Sequence, residues 1–418
     1  MIGIVLAAGR GRRLQPFTET RPKPLLPVLD KPLIAKPLEM LRNLGISRVV
    51  VVVSYMKDAL MSAVKALANE IGIDVVFVDQ REELGTAHAV KAVLRDYEED
   101  AVIIHGDLYV DPDYVARVLK PLIKERKHDM VVVAARVDDI RRFGKLIVSG
   151  DRVLEIVEKP EECGAGLANT GIYIVSVPVL KLVEFVERSP RGEYEFTDVV
   201  RLAHRHGFEV RYVEIESRSW MDVGYPWHII EVNRLELEKR ATRVLRGDVE
   251  PYVTVKGPVI VDEGAEIRSG SYIVGPVYIG RDVEIGPNAY IRPYSVILQG
   301  SRIGFSVEVK ESVVMEYVHA SHLSYIGDSV VGEHTNLGAG TVLANLRFDN
   351  KNVKVTVEGE RIDTGRRKLG ALVGGYVKTG VNVSIMPGVK IGSYSVIYPG
   401  VTVYRDVPPR TVVKDIWR

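Results

Sequence analysis

The chain has 418 residues, and its 56 lysines and arginines nearly cancel 55 aspartates and glutamates, leaving a formal net charge of +1. That length exceeds what one hydrophobic core fills and predicts two domains, while the balanced charge excludes a polybasic face for nucleic acid or anionic membrane. Cys163 is the only cysteine, no leader pattern follows Met1, and no apolar run approaches the ~20 residues that span a bilayer, so we expect a cytoplasmic protein without disulfides or membrane partners.

Over residues 1–232, short β-branched runs alternate with longer segments of helical periodicity. Ile2–Ala7, Arg48–Val53, Asp74–Val78, Ala101–Ile104 and Met130–Ala135 are predicted strands. Leu33–Leu44 (closed by Gly45), Lys57–Asn69, Thr86–Tyr97 and Pro112–Lys124 are predicted helices. This pattern predicts an α/β domain, a Rossmann-like open and mostly parallel sheet covered by helices.

Behind the first strand stands "LAAGRGRRLQPFTETRPKP". Its glycines let backbone N–H groups approach phosphate oxygens, and Arg13 and Lys23 supply charge to neutralise a polyphosphate. A dinucleotide fingerprint would need a third glycine where Leu14 stands and an acidic residue where the second strand ends in Ser54 and Tyr55, so a Rossmann dehydrogenase is disfavoured. Taken alone, the loop also reads as a basic surface turn. Asp107, in "IIHGDLYV", follows a buried strand at the edge where open α/β sheets bind ligands. Asp222, in "SWMDVGYPW", offers a second carboxylate, and few carboxylates completed by substrate phosphates suit Mg²⁺. Singly, an aspartate in such a place is more often a turn or helix cap, by about two to one.

The charged stretch Asn233–Leu245 predicts a connecting helix within 233–250. From Pro251 the period changes. Val255, Val261, Ile267, Ile273, Ile279, Ile285, Ile291, Ile297, Ile303 and Val309 stand six apart without a miss. The frame then slips, resumes at Ile326, Val331 and Leu337, each followed by glycine, and returns at Val373, Ile385, Ile391, Ile397 and Val403. Residues 251–418 therefore predict a parallel β-helix of hexapeptide repeats, interrupted by an excursion at Leu346–Arg367. Featureless repeats would read equally well as an oligomerisation stalk.

The N-terminal motifs, taken with Gln80, "LGTAHAV", "FGKL", "VEKP", "NTGIY" and "WMDVG" in that order, resemble the sugar-1-phosphate nucleotidylyltransferases over residues 1 to about 235. The resemblance implies that Leu6, Ala8, Gly9, Gly11 and Arg13 cradle a nucleoside triphosphate and that Lys23 touches the phosphates at the reacting centre. Gln80, Gly85 and Thr86 fall on base-recognition positions, and Gly144, Glu158, Lys159, Asn169 and Thr170 on sugar-phosphate positions. Asp107 and Asp222 fall on the Mg²⁺ pair. Arg12 stands where the family usually has Thr. Asp222 follows the thymidylyltransferase pattern, whereas bacterial N-acetylglucosamine-1-phosphate uridyltransferases usually carry Asn, so UTP and dTTP both stay open. So do N-acetylglucosamine-1-phosphate and glucose-1-phosphate.

In the repeats, "SHLSYIGD" and "TNLGAGTVLANL" resemble the acetyltransferase site of bifunctional glucosamine-1-phosphate acetyltransferase / N-acetylglucosamine-1-phosphate uridyltransferases. This implies His322 as the base that takes the amine proton and Asn345 as the carbonyl that orients the amine. Arg292, Lys310 and Tyr325 would grip the amino-sugar phosphate beside Asn336. A backbone N–H near Ala339, and Lys368, fall on the acetyl-CoA side. The resemblance further implies a left-handed β-helix and a homotrimer with acetyl-CoA sites between neighbouring copies. The expected function is bifunctional, acetyl transfer to glucosamine-1-phosphate and Mg²⁺-dependent nucleotidyl transfer, on the route to UDP-N-acetylglucosamine. Galactosamine-1-phosphate stays open as an acetyl acceptor. A nucleotidylyltransferase with a non-catalytic trimerisation or regulatory β-helix is the alternative. A non-enzymatic scaffold of the translation-factor type is disfavoured by the retained Arg13, Lys23 and aspartate pair.

Overall fold

A run such as Val49–Val53 has no polar face, so it makes a stable strand only when covered on both sides. In the computed structural model, which describes residues 1–125 and 127–415, all five valines are buried. Two compact units emerge: Met1–Arg10 with Leu33–Asp222, and Gly11–Pro32 with Val223–Arg418.

The first unit is built on a nine-stranded sheet among the described residues. Its order is Asp74–Asp79, Arg48–Val53, Ile2–Leu6, Ala101–His105, Gly166–Val175, Met130–Val137, Val210–Ile215, Arg152–Glu158 and Gly144–Ser149. The first four strands run parallel, as the alternation with helices requires. Gly166–Val175 runs antiparallel to both neighbours, so the sheet is mixed. The unit's longer helices among the described residues are Ala35–Asn43, Lys57–Ile71, Thr86–Val93, Pro112–Glu125 and Asp198–Arg205.

In the second unit, among the described residues, three parallel sheets of eight, nine and eight strands stack coil on coil, consistent with a left-handed β-helix. The six-residue period has a simple cause. One aliphatic side chain per face points inward, and the third residue after it turns the corner with positive φ: Asp282 after Ile279, Asn288 after Ile285, Tyr294 after Ile291 and Gly300 after Ile297. Asn, Asp and Gly tolerate that left-handed conformation best.

The predicted connecting helix is corrected on both sides. It runs His228–Lys239, and Val244–Leu245 instead pair in parallel with Ile260 and Val261. Their strand pairing continues the β-helix ladder, so the helix stops before them. The excursion of Leu346–Arg367 contains a two-stranded hairpin, Lys354–Val357 against Glu360–Asp363.

Candidate active sites

In the first unit, strand Ile2–Leu6 delivers Leu6, Ala7 and Ala8 to the edge of the sheet, where Gly106 N–H donates to the Leu6 carbonyl at 2.8 Å. A Cβ at Gly106 would lie 3.0 Å from Ala7 and 3.1 Å from Val5, tighter than ordinary contact, so glycine lets the two segments approach without displacement. Asp107 follows immediately. The short strand Leu108–Val110 pairs antiparallel with Trp220–Asp222, placing Asp222 opposite Leu108, the residue that follows Asp107. Among the described residues no group of three or more His, Cys, Asp or Glu side chains forms a cage for a metal ion. Two carboxylates without a cage fit Mg²⁺, which keeps water and substrate oxygens in its shell, and do not fit a structural zinc site.

Gln80 is buried and its amide donates to the Gly85 carbonyl at 3.0 Å. Gly85 has φ of +109°, and a Cβ there would collide with the Tyr194 backbone. Thr86 accepts the Phe196 N–H at 2.8 Å, so Gln80, Gly85 and Thr86 form one bonded corner. Gly144 pairs with Glu158, and a Cβ on Gly144 would lie 3.1 Å from the Glu158 carboxylate and 3.4 Å from Asn169. These three predicted sugar-site positions are therefore neighbours. Lys159 continues the same strand end with a positive φ of 46°. The Thr170 hydroxyl instead donates inward to the Val133 carbonyl at 2.7 Å, and its own carbonyl accepts the Trp220 indole N–H, so that residue braces the site.

Sequence reasoning missed the partners of Glu158. Arg191 lies 3.8 Å from it and 2.5 Å from Glu195. Burial, then the Glu195 charge, push the Glu158 carboxyl above its ordinary range, against the opposing pull of Arg191. The cue was "RGEYEFTD", whose charges sit between apolar residues.

The remaining predicted phosphate groups lie in the second unit. Gly11 has φ of +63° and opens a short 3₁₀ turn, Arg12–Leu14. A Cβ on Gly11 would come within 3.0 Å of Lys23, so the glycine permits the loop to close onto that buried lysine. Arg13 stacks over the Tyr225 ring at 5.6 Å. Leu14, in the slot of the absent third glycine, is a core residue, and Arg12 points to solvent.

The second cluster forms where the repeat is irregular. Interior positions Val309 and Val314 are five apart instead of six, as are Ile326 and Val331, and after Leu343 the excursion leaves the coil. All three irregularities stack on one corner. There Lys310 pairs with both Asp328 oxygens at 2.8 and 2.9 Å. The Asn345 amide donates to Asp328 at 2.6 Å and to the Tyr325 hydroxyl at 3.0 Å. Both N–H groups of Asn345 are thus committed, which fixes its carbonyl as the outward acceptor. Asp328, with a side chain 2 % exposed, is the hub that sequence reasoning missed, together with Arg366, 2.7 Å from Glu311 and 3.7 Å from Asp328. The frame slip was the available signal.

Arg292 bonds Glu308 at 2.8 Å on the same face as Tyr325. Burial, then the Asp328 and Glu308 charges, raise the Tyr325 phenol above its ordinary range, keeping it a donor. His322 is exposed at the preceding corner, and its carbonyl accepts Gly340 N–H at 3.3 Å, so the Ala339–Gly340 corner stacks directly on it. Lys368 ends the excursion, bridging to Leu346 beside Asn345. Asn336 pairs with His319 on the adjacent sheet.

The hub makes a specific prediction. Asp328→Asn removes the charge that holds Lys310 and Asn345, and is expected to cut acetyl transfer at least tenfold while leaving pyrophosphate release unchanged, as read by parallel assays. Equal loss of both activities would show collapse of the fold, since breaking a buried pair costs about 3–5 kcal/mol.

Comparison with known proteins gives a consistent picture. Residues 2–239 match the Nucleotidyl transferase family, and residues 273–367 match the GMPPB C-terminal domain. A bifunctional sugar-1-phosphate nucleotidylyltransferase/acetyltransferase of Sulfurisphaera tokodaii is 44% identical over 97% of this chain and 98% of its own length. A bifunctional GlmU protein of Methanocaldococcus jannaschii is 37% identical over 99% of this chain and 97% of its own.

Proposed function

We propose, from the premise that this chain belongs to the bifunctional sugar-1-phosphate nucleotidylyltransferase/acetyltransferase family, that each half performs one step toward an activated amino sugar. The β-helix acetylates the amine of glucosamine-1-phosphate with acetyl-CoA. The N-terminal sheet then joins a sugar-1-phosphate to the nucleotidyl group of UTP or dTTP and releases pyrophosphate.

In acetyl transfer, an imidazole nitrogen of His322 takes a proton from the substrate ammonium, and the freed amine attacks the thioester carbon. The C–S bond breaks, and the departing thiolate of CoA takes up the second proton that the acylated nitrogen gives up. The Asn345 carbonyl accepts the remaining amine N–H and holds the lone pair in line, because its amide is pinned by Asp328 and Tyr325. Arg292, Lys310 and Tyr325 grip the phosphate, and a backbone N–H near Ala339 meets the developing oxyanion. Lys368 serves the acetyl-CoA side.

In nucleotidyl transfer, a phosphate oxygen of the sugar ester attacks the α-phosphorus and the bond to pyrophosphate breaks. Arg13 and Lys23 neutralise the phosphates, and Gln80, Gly85 and Thr86 hold the base. Glu158, Gly144 and Asn169 hold the sugar. Mg²⁺, when bound by Asp107 and Asp222, supplies further charge neutralisation. We assign the protein to the cytoplasm, where these charged substrates are made, and assign it a trimer through the β-helix.

One observation supports two activities over a nucleotidyl transferase with a passive stalk: three successive coils depart from the repeat at the one corner where Lys310, Asp328 and Asn345 meet. A bare stalk has no use for a charged hub there. The test follows CoA release with a thiol reagent on adding acetyl-CoA to glucosamine-1-phosphate or galactosamine-1-phosphate. Release with either supports the reading, and none with both returns the β-helix to a non-catalytic role.

A further inference from the structure

The loop that carries Arg13 and Lys23 belongs to the second unit. Gly11–Pro32 clusters with Val223–Arg418 as one unit, and specific bonds explain why. Arg21 spreads its guanidinium over two acidic residues of consecutive coils, Glu316 at 2.8 and 3.3 Å and Glu333 at 3.1 Å. Two coils further on, Ser393 N–H donates to the Glu19 carboxylate at 2.7 Å, and its hydroxyl donates to the Pro16 carbonyl at 3.3 Å.

Glu316, Glu333, Gly375 and Ser393 form one column of corners. The N–H of the residue after Glu333 donates to the Glu316 carbonyl at 2.9 Å, that after Gly375 to Glu333 at 2.8 Å, and that after Ser393 to Gly375 at 3.0 Å. The neighbouring column is a stack of rings, Tyr317, His334, Tyr376 and Tyr394, with centroids 5.0, 4.9 and 4.8 Å apart, closed by Arg410 at 4.7 Å. These rings fix the corner that receives the loop. Two glycines give the loop room. A Cβ on Gly374 would sit 3.0 Å from the Pro16 side chain, and one on Gly375 would sit 2.9 Å from the Glu333 carboxylate. Beyond Lys23 the loop is tied again, by Asn233 to the Leu29 N–H at 2.7 Å and the Pro27 carbonyl at 2.9 Å.

Burial alone disfavours the charges in this clamp. Even so, Arg21 holds the Glu316 carboxyl below its ordinary range, and Glu316 with Glu333 raises the Arg21 guanidinium, so the charges compensate one another.

We infer that the β-helix is a working part of nucleotidyl transfer, with Arg21 a positioning residue that locks Gly11–Lys23 into its phosphate-binding shape from Glu316, Glu333 and the Ser393 corner. This rests on the proposed role of Arg13 and Lys23. Positioning matters because misplacing a charge by about 1 Å can cost about 10²-fold in rate.

The full chain with Arg21→Ala tests it by two readouts. The kcat for pyrophosphate release is expected to fall tenfold to about a hundredfold, CoA release from acetyl-CoA to stay at the wild-type rate, and amide hydrogen exchange to accelerate across residues 11–25 in the unliganded protein. Glu316→Gln, which leaves the Glu333 pair, is expected to move both readouts the same way by less, and serves if Arg21→Ala does not fold. Unchanged exchange overturns the clamp, and so does an unchanged kcat. Loss of CoA release in step with pyrophosphate release makes the clamp a general stability device and also overturns it. Absence of pyrophosphate release in the wild type sinks the assignment of nucleotidyl transfer instead, while the exchange result still decides whether Arg21 orders the loop.

Discussion

Replacing His322 with alanine is expected to lower acetyl transfer by about 10²–10⁴-fold, the usual contribution of a positioned general base, with pyrophosphate release unchanged. The substitution suits the test because the imidazole is exposed, so no buried contact is lost. The local backbone keeps its supports: the carbonyl of residue 322 still accepts Gly340 N–H at 3.3 Å and the Ser324 hydroxyl at 2.9 Å. A rate ratio near one would remove His322 from the mechanism. It would leave Asn345 and the Asp328 hub as binding groups only.

The second large effect is the reverse. Asp107→Ala is expected to lower pyrophosphate release by about 10³-fold or more, the equivalent of the several kcal/mol of charge stabilisation a bound divalent ion supplies, and to leave CoA release intact. Chelating divalent ions in the wild type should reproduce the same split between the two assays. The adjacent strands set by Leu108 opposite Asp222 do not depend on the Asp107 side chain, so the pairing survives the change. Persistence of pyrophosphate release in the chelator would contradict a role for the aspartate pair in holding a metal.

Much of this architecture is legible in the sequence because it follows from local periodicity. The strand at Arg48–Val53 and the helix starts at Lys57, Thr86 and Pro112 appear where the pattern puts them. The interior ladder from Val261 to Val309 is buried throughout. The antiparallel strand Gly166–Val175 is not legible, because "GLANTGIYIV" says nothing of direction, which comes from the partners it meets. The helix at Asn233–Leu245 was misplaced for a similar reason: the pairing of Val244 and Leu245 with residues sixteen further on is non-local.

At the sites, residues recognisable by motif could be named, whereas their supports could not. Asp328, Arg366 and Arg191 act on Lys310, Glu311 and Glu158, which are distant in sequence, and a single charge does not reveal such a partner. Asp328 is the instructive case, because the frame slip beside it did leave a mark. Here the shortened hexapeptides sacrifice regular stacking where the polar network of Lys310, Asp328 and Asn345 is housed.

Two activities in one chain are tested most directly by mass spectrometry of the products when the purified chain receives glucosamine-1-phosphate, acetyl-CoA and either UTP or dTTP with Mg²⁺. The expected product is a nucleoside diphosphate carrying an N-acetylated hexosamine, with free CoA and pyrophosphate formed alongside. A nucleotide sugar that forms only from preacetylated or non-amino sugar phosphates, with acetyl-CoA left whole, would contradict it.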